Sequence, residues 1–319
     1  MQLIRGLVNL RKIEQGCAVT IGNFDGVHCG HRAVIGKLAE QAGALNLPVV
    51  VVLFEPQPME FFRPDSTPPR LSRLRDKIRL LRQLPVDYVL ILRFDRKLSN
   101  WLPLEFVQRI LAEGLNVKYL VVGDDFRFGR DRQGDFDVLR RLAGEFGFRV
   151  ESTRSFNVAG ARVSSTRIRD ALGAGDLDRV KRMLGRPFSI SGRVIRGSQN
   201  GRAIGFPTAN IAMHRKKSPV HGVFAVTMTS YLAREWPGVA NVGIRPTFGG
   251  DPVVYLEIHL FDFEDDLYGR SVEVHFHEKI RDEIRFASVD ALKQQIGRDS
   301  ESARSILLKR FAARCPRAD

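Results

Sequence analysis

Cysteine is scarce in this 319-residue chain: the three present, Cys17, Cys29 and Cys315, are an odd number without a CxxC pair. A disulfide framework or a cysteine-ligated zinc site has little support, and reduced structural thiols are the expectation. Long apolar runs are missing as well. The longest, Val49–Phe54, falls far short of the ~20 residues that a membrane-spanning helix needs, so no transmembrane segment is expected. Arg5, Gly6 and Asn9 interrupt the opening residues before a signal-peptide core could form, which predicts a cytoplasmic protein. Internal repeats, low-complexity tracts and clustered Lys/Arg arms are absent, and such arms are the usual mark of nonspecific nucleic-acid binding. Acidic charge is in the minority: 50 Lys and Arg against 36 Asp and Glu leave a net charge of +14. That excess favours anionic partners, whether nucleoside phosphates, nucleic acids or acidic lipids.

What is present reads as a folded chain of ordinary composition, 44% hydrophobic and 27% charged, and too long for one hydrophobic core. From residue 17 to about 150, β-rich apolar runs (AVTI, VVVVLF, YVLIL, YLVV) alternate with amphipathic stretches at His31–Gly43, Leu71–Leu84, Leu104–Leu111 and Phe136–Phe146. Continuous apolar strands separated by helices predict a doubly wound, Rossmann-like α/β domain with a parallel sheet. Ligands then belong at the C-terminal strand ends. Two of those ends run into glycine-punctuated polar loops, GNFDGVHCGH and GDDFRFGRDRQGD. A helical stretch, Ser164–Met183, broken at Gly173–Gly175, leads to a boundary that divides the chain into domains 1–184 and 185–319. Beyond it, apolar and polar residues alternate with period two, and one helical pattern runs from about Val289 to Ala312. This predicts a small antiparallel β-barrel with a terminal helix.

Neither a Walker A sequence nor GxGxxG occurs, so the phosphate device of the first domain is sought in His28-Cys29-Gly30-His31, where a strand turns into a helix. Histidines three apart at a helix start point at one ligand. Backbone N–H groups, the helix dipole and two imidazoles suit a phosphoryl group gaining negative charge, as in nucleotidyl transfer. The same pattern also serves as a mere cap, and a zinc site would need a fourth ligand that the sequence does not supply. A second candidate is Ser164-Ser165-Thr166-Arg167-Ile168-Arg169, whose hydroxyls, N–H groups and guanidinium could share a phosphate, or simply cap a surface helix.

In the second domain, GRVIRGSQNGRAIGFPTANI (192–211) couples a glycine-rich loop to Thr208 and Asn210. Glycines admit close phosphate approach, and a hydroxyl with a carboxamide oxygen makes hard ligands for Mg2+; by composition alone the segment is a turn-rich hairpin loop. Glu257 shares one strand face with Tyr255 and His259, either as a catalytic carboxylate or as part of a wet face. His275 and His277 form an HxH pair opposite Val272, Val274 and Phe276, which predicts solvated histidines rather than a metal pair.

In order along the chain, GNFDGVHCGH (22–31), FEPQPMEFF (54–62), RLSRLRDK (70–77), VGDDFRFG (122–129), SSTRIR (164–169), GFPTAN (205–210) and EIHLFDFEDDLYG (257–269) resemble the bifunctional prokaryotic riboflavin kinase/FMN adenylyltransferases, or FAD synthetases. The resemblance covers nearly the whole chain. It implies an FMN adenylyltransferase domain followed by a riboflavin kinase domain, with riboflavin, FMN, FAD and ATP as ligands, Mg2+ as cofactor, and neither nucleic acid nor membrane as partner. His28 and His31 would stabilise the α-phosphoryl transition state, and Glu257 would take the proton of the riboflavin 5′-hydroxyl. Gly22, Asn23, Phe24, Gly30, Ser165, Thr166, Arg169, Gly197 and Gly205 would hold nucleotide or phosphate, and Thr208 and Asn210 the metal. Pro56, Pro58, Phe62, Asp125, Phe126, Arg281 and Phe286 would lie near the flavin. The chain departs from the family pattern at Gln57, where histidine is expected. An amide keeps a hydrogen bond but carries no charge, which puts a charged or acid–base role there in question. Two other classes stay open from the residues alone: a different HxGH nucleotidyltransferase, and a basic nucleic-acid-binding protein.

Overall fold

The computed structural model describes residues 1–153, 156–158, 160–197, 201, 204–230, 234–247 and 250–312. The tail Cys315–Asp319 lies outside the described residues, as do residues 198–200, 202 and 203 of the glycine-rich loop. The chain forms two compact units, Met1–Pro68 with Ser72–Ser165 and Pro69–Leu71 with Thr166–Asp319.

The first unit is built on six parallel strands: β1 (Gln2–Arg5), β2 (Cys17–Ile21), β3 (Val49–Glu55), β4 (Tyr88–Arg93), β5 (Val117–Gly123) and β6 (Arg149–Thr153), in the order β1-β4-β3-β2-β5-β6. The apolar runs are continuous because both faces are covered. Val19, Val50, Val52, Leu90, Leu92, Leu120 and Val122 pack on one face against α5 (Pro103–Phe106), the π-type stretch Val107–Ala112 that continues it, and α6 (Phe136–Phe146). Ala18, Val49, Val51, Leu53, Val89, Ile91 and Val121 pack on the other against α1 (Cys29–Ala44) and α3 (Leu74–Leu81). The chain lays down β2, β3 and β4 in one direction and then returns to place β5 on the far side of β2. Strand order therefore reverses between β2 and β5, the position where open α/β sheets bind their ligands.

In the second unit, α7 (Ser165–Gly173) and α8 (Leu177–Leu184) are separated at Gly175 and Asp176, the latter capping α8 by accepting the Arg179 N–H at 2.9 Å. Next come β9 (Phe188–Ile195), β10 (Ala209–Ala212), β11 (Gly222–Thr229), β12 (Glu235–Thr247), β13 (Gly250–Leu260) and β14 (Ser271–Arg281), which close an antiparallel barrel in the order β10-β13-β12-β11-β14-β9. One parity of side chains, including Ile190, Val194, Phe224, Val226, Leu256, Ile258, Val274 and Phe276, is buried. The C-terminal helix Val289–Ala312 covers part of the outer surface, where Ala303 and Leu307 meet Val223, Ala225, Val239 and Phe261. The fold is the one expected from the sequence: a Rossmann-like parallel sheet, then a six-stranded antiparallel barrel with a terminal helix.

His277 corrects one expectation. It is buried rather than solvated, with Nε2 2.8 Å from Thr227 Oγ1. The pairing of β11 with β14 shifts between Ala225 and Val226, so that Ala225 faces Glu278 and Val226 faces Phe276. His277 keeps the face opposite Phe276, beside Thr227, but helices α8 and Val289–Ala312 pack against β14 on the outside, so that face is covered and not solvated.

Candidate active sites

A cavity of about 1480 Å3 opens in the first unit at the ends of β2 and β5, lined by Gly22, Asn23, Phe24, His28, Gly30, His31, Pro58, Phe62, Asp125, Phe126 and Ser165 among others. Its floor is the turn from β2 into α1. His28 is the N-cap of that helix, and its Nδ1 accepts the His31 N–H at 3.3 Å. The cap brings the two rings into a stack, with centroids 3.6 Å apart and planes 15° from parallel. Gly30 makes the stack possible: a Cβ there would stand 3.2 Å from two atoms of the His28 ring. Because His28 Nδ1 is an acceptor, a neutral His28 ring carries its proton on Nε2. His31 is held well below the usual histidine range by burial, then by His28 and Lys77, and among the described residues its Nδ1 has no hydrogen-bond partner. Two imidazoles stacked at the entrance of a helix, one of them neutral, form a donor pair suited to an anion.

The loop above this floor is pinned by residues with no catalytic signature of their own. The buried Asp25 carboxylate accepts the Ser72 N–H at 3.0 Å, Ser72 Oγ accepts the Gly26 N–H at 2.9 Å, and Ser165 Oγ–H donates to the Asp25 carbonyl at 3.0 Å. Across the cavity, Arg162 Nη2 bridges Asp124 and Asp125 at 3.1 Å each. The Phe62 ring is 61% exposed and meets Phe61 and Phe94 edge-on at 5.3 and 5.6 Å, while Phe126 stacks with Phe128 at 5.5 Å. Together these supply an aromatic wall opposite the imidazoles.

Three predicted residues of the first site do not line the cavity. Pro56 follows a cis peptide and is not among the lining residues; Thr166 and Arg169 belong to the second unit, where Arg169 Nε donates to the Pro69 carbonyl at 2.7 Å. Gln57 is buried beside the cavity without lining it, its N–H donating to Glu60 at 2.9 Å and its Nε2 without a partner among the described residues.

In the second unit, Thr208 immediately precedes β10, Asn210 lies within it, and Gly205 holds the left-handed φ of 87° that the turn before them requires. Asn210 is paired across to Glu257 on β13, and Glu257 in turn to Asn241 on β12. Directly opposed residues share a face, so an amide, a carboxylate and a second amide stand in a row on the outside of the barrel. The loop into β10 is anchored by His259, whose Nδ1 lies 2.9 Å from the Pro207 carbonyl and whose ring meets Phe206 edge-on at 5.3 Å. Gly197 packs against the Asn210 amide, a Cβ at that position falling 2.3 Å from Nδ2. Tyr255 OH donates to Glu283 at 2.7 Å, and Asn241 Nδ2 donates to both. Arg281 is gripped by the buried carboxylate of Asp299, with contacts of 2.6 to 3.1 Å, and its guanidinium lies 5.8 Å from the Phe286 ring. The sequence offered no sign of the parts played by Asp299 and Arg162; His259, expected on the face of Glu257, lies against the Pro207 carbonyl, and Ser72 and Lys77 lie inside RLSRLRDK, whose purpose only the fold reveals.

Residues 10–167 match the FAD synthetase family and residues 184–307 the riboflavin kinase family. Over 305 residues the sequence is 51% identical to the bifunctional riboflavin kinase/FMN adenylyltransferase of Escherichia coli (strain K12), covering 95% of this chain and 97% of the relative. The chain belongs to this family. Bifunctional riboflavin kinase/FMN adenylyltransferases from Haemophilus influenzae and Pseudomonas fluorescens are 50% and 49% identical, each aligned over 96% of this chain and 99% and 98% of their own. A crystal structure described as a macrolide-efflux protein from Streptococcus pneumoniae superposes with a TM-score of 0.78 at 28% identity, covering 95% of this chain and 98% of that one. Among the described residues no helix is long and apolar enough to cross a membrane. Nor does any group of three or more His, Cys, Asp or Glu gather as a metal site among them; in this riboflavin kinase/FMN adenylyltransferase family member, the candidate metal ligands are instead a hydroxyl and an amide.

Proposed function

We infer that the chain makes FAD from riboflavin in two ATP-dependent steps, phosphorylating riboflavin to FMN and adenylylating FMN with release of pyrophosphate. The observation that carries this reading is the pairing of two family matches along one chain, each with a site of suitable chemistry. We assign adenylylation to residues 1–184 and phosphorylation to 185–319, a division that the family matches ending at 167 and beginning at 184 support.

In the first step, Glu257 takes the proton from the riboflavin 5′-hydroxyl as that oxygen attacks the γ-phosphorus of ATP, and ADP leaves. An alcohol is a poor nucleophile at neutral pH, so a positioned carboxylate meets a real need. Thr208 Oγ1 and Asn210 Oδ1 would hold Mg2+, a hard cation suited to such donors, which when bound neutralises charge on the ATP phosphates. The fit is supported by Gly197, whose missing side chain leaves Asn210 the space it occupies. Gly205 lets the preceding turn bring its backbone close to phosphate.

In the second step, an FMN phosphate oxygen attacks the α-phosphorus of ATP, the bond to the β-phosphate breaks, and pyrophosphate leaves. His28 and His31 donate hydrogen bonds to the charge growing on the α-phosphoryl oxygens. Neither step needs a covalent enzyme intermediate: positioning and charge stabilisation suffice. Phe62, Pro58, Phe126 and Asp125 shape the flavin side, and Ser165 serves the phosphates. Arg281 and Phe286 border the flavin of the kinase site, with Asp299 fixing the guanidinium. The basic charge is assigned to nucleotide substrates, so nucleic acid and membranes are not proposed as partners, and the cytoplasm is proposed as the compartment.

Two variants test the division of labour. His31→Ala should abolish FAD formation and leave FMN formation from riboflavin intact; Glu257→Ala should abolish FMN formation yet convert supplied FMN to FAD. Loss of both activities in either variant, with its fold retained by circular dichroism, contradicts the assignment.

A further inference from the structure

Lys77, on α3, is fully buried. An ammonium stays charged at such depth only where it is hydrogen-bonded and its charge has a use or a partner. Its Nζ donates to the Asn23 carbonyl, in the loop that lines the cavity beside the stacked histidines. The Asn23–Phe24 peptide is trans, so a carbonyl turned toward Lys77 sends the Phe24 N–H the opposite way. Phe24 holds a left-handed φ of 46°, a conformation that helps to curl successive N–H groups around an anion. Among the described residues no backbone carbonyl accepts the Phe24 N–H.

We propose that Lys77 is a positioning residue for adenylyl transfer, fixing the Asn23–Phe24 peptide so that the Phe24 N–H faces the phosphate beside His28 and His31. The role rests on the assignment of adenylyl transfer to this cavity. Lys77 touches neither substrate; it acts through the backbone it holds and through its field. Among the described residues, the groups whose charge reaches the His31 ring are His28, from the start of the same helix, and Lys77, from α3, and both oppose its protonation. A neutral His31 remains a hydrogen-bond donor to the phosphate, while the positive charge that favours the anion stays on a residue that cannot wander.

The test uses the full chain. Lys77→Met, which keeps the length of the side chain and removes its charge, should lower FAD formation from FMN and ATP about a hundredfold, the loss typical of one preorganised donor. Riboflavin phosphorylation should be unchanged. Histidine-selective NMR should show His31 titrating at higher pH in the variant than in the wild type, a change that a purely structural role would not produce. Wild-type FAD formation in folded Lys77→Met, or a lower rate with His31 titrating as before, overturns the proposal. Should Lys77→Met not fold, the wild type is titrated: His31 is expected to titrate well below the ordinary histidine range, and an ordinary histidine titration overturns the proposal. If the wild type makes no FAD from FMN and ATP, the functional assignment fails, and the difference in His31 titration between Lys77→Met and the wild type still reads the influence of Lys77.

Discussion

Gly197→Ala isolates the kinase site with a single methyl group. A Cβ at this position would lie 2.3 Å from Nδ2, 2.5 Å from Cγ and 2.7 Å from Oδ1 of Asn210. Ordinary contact between such atoms is about 3.5 Å, so the amide has to retreat by roughly 1 Å. The backbone of Gly197 is not in the left-handed region, and the amide is the end of a flexible side chain, so folding should tolerate the change. The reaction should not. A misplacement of about 1 Å costs on the order of a hundredfold in rate, or about 2.7 kcal/mol of transition-state stabilisation. The assay is kcat/KM for riboflavin phosphorylation, with adenylylation of supplied FMN as the internal control and thermal denaturation as the check on folding. Riboflavin phosphorylation within threefold of wild type, in a variant whose Asn210 amide has moved, would refute the argument that this amide is a ligand.

The remaining predictions concern stability and the first site. His31 is depressed in the folded chain, so the unfolded chain binds more protons below its ordinary value of 6.5. Stability of the first unit should therefore be full above that pH and fall as pH drops below it, by about 1.4 kcal/mol for each unit over which His31 stays neutral. Urea denaturation followed by Trp101 fluorescence in a Trp236→Phe background should show this slope, and His31→Asn should flatten it. Gly30→Ala should press on the His28 ring, which a Cβ would approach to 3.2 Å, and slow FAD formation while sparing riboflavin phosphorylation. Asp299→Ala strips the carboxylate from Arg281, a pair with side-chain exposures of 5% and 20%. It should lower the stability of the second unit by about 3 kcal/mol, read as a lower denaturation midpoint with the first unit unchanged.

The parallel sheet was legible because strands buried on both faces must be apolar throughout, and β2 to β5 advertise themselves in that way. The edge strands did not. β1 has only four residues, and β6, Arg149–Thr153, has no fully buried side chain, so neither carries the apolar run by which the central strands are found. The site was legible where chemistry and backbone demand the same residues, as in the HxGH turn and the GFPTAN loop. It was hidden where a group acts through tertiary contact. A lysine in RLSRLRDK reads as a solvated helix charge until the fold places Asn23 over it, and Asp299 reads as the polar face of a helix until Arg281 meets it. His277 was misread because its face, opposite Val272, Val274 and Phe276 and shared with Thr227, is covered by helices instead of water. His259 lies on the same face as Glu257, as its spacing required, but its hold on Pro207 joins segments 52 residues apart.

The most direct measurement is a time course of flavins in a mixture of the purified chain, riboflavin, ATP and Mg2+. FMN appearing first and FAD after it, with ADP and then pyrophosphate as the other products, is the predicted result. No flavin product would contradict the account as a whole, and FMN that is never converted to FAD would contradict the role given to the cavity at His28 and His31.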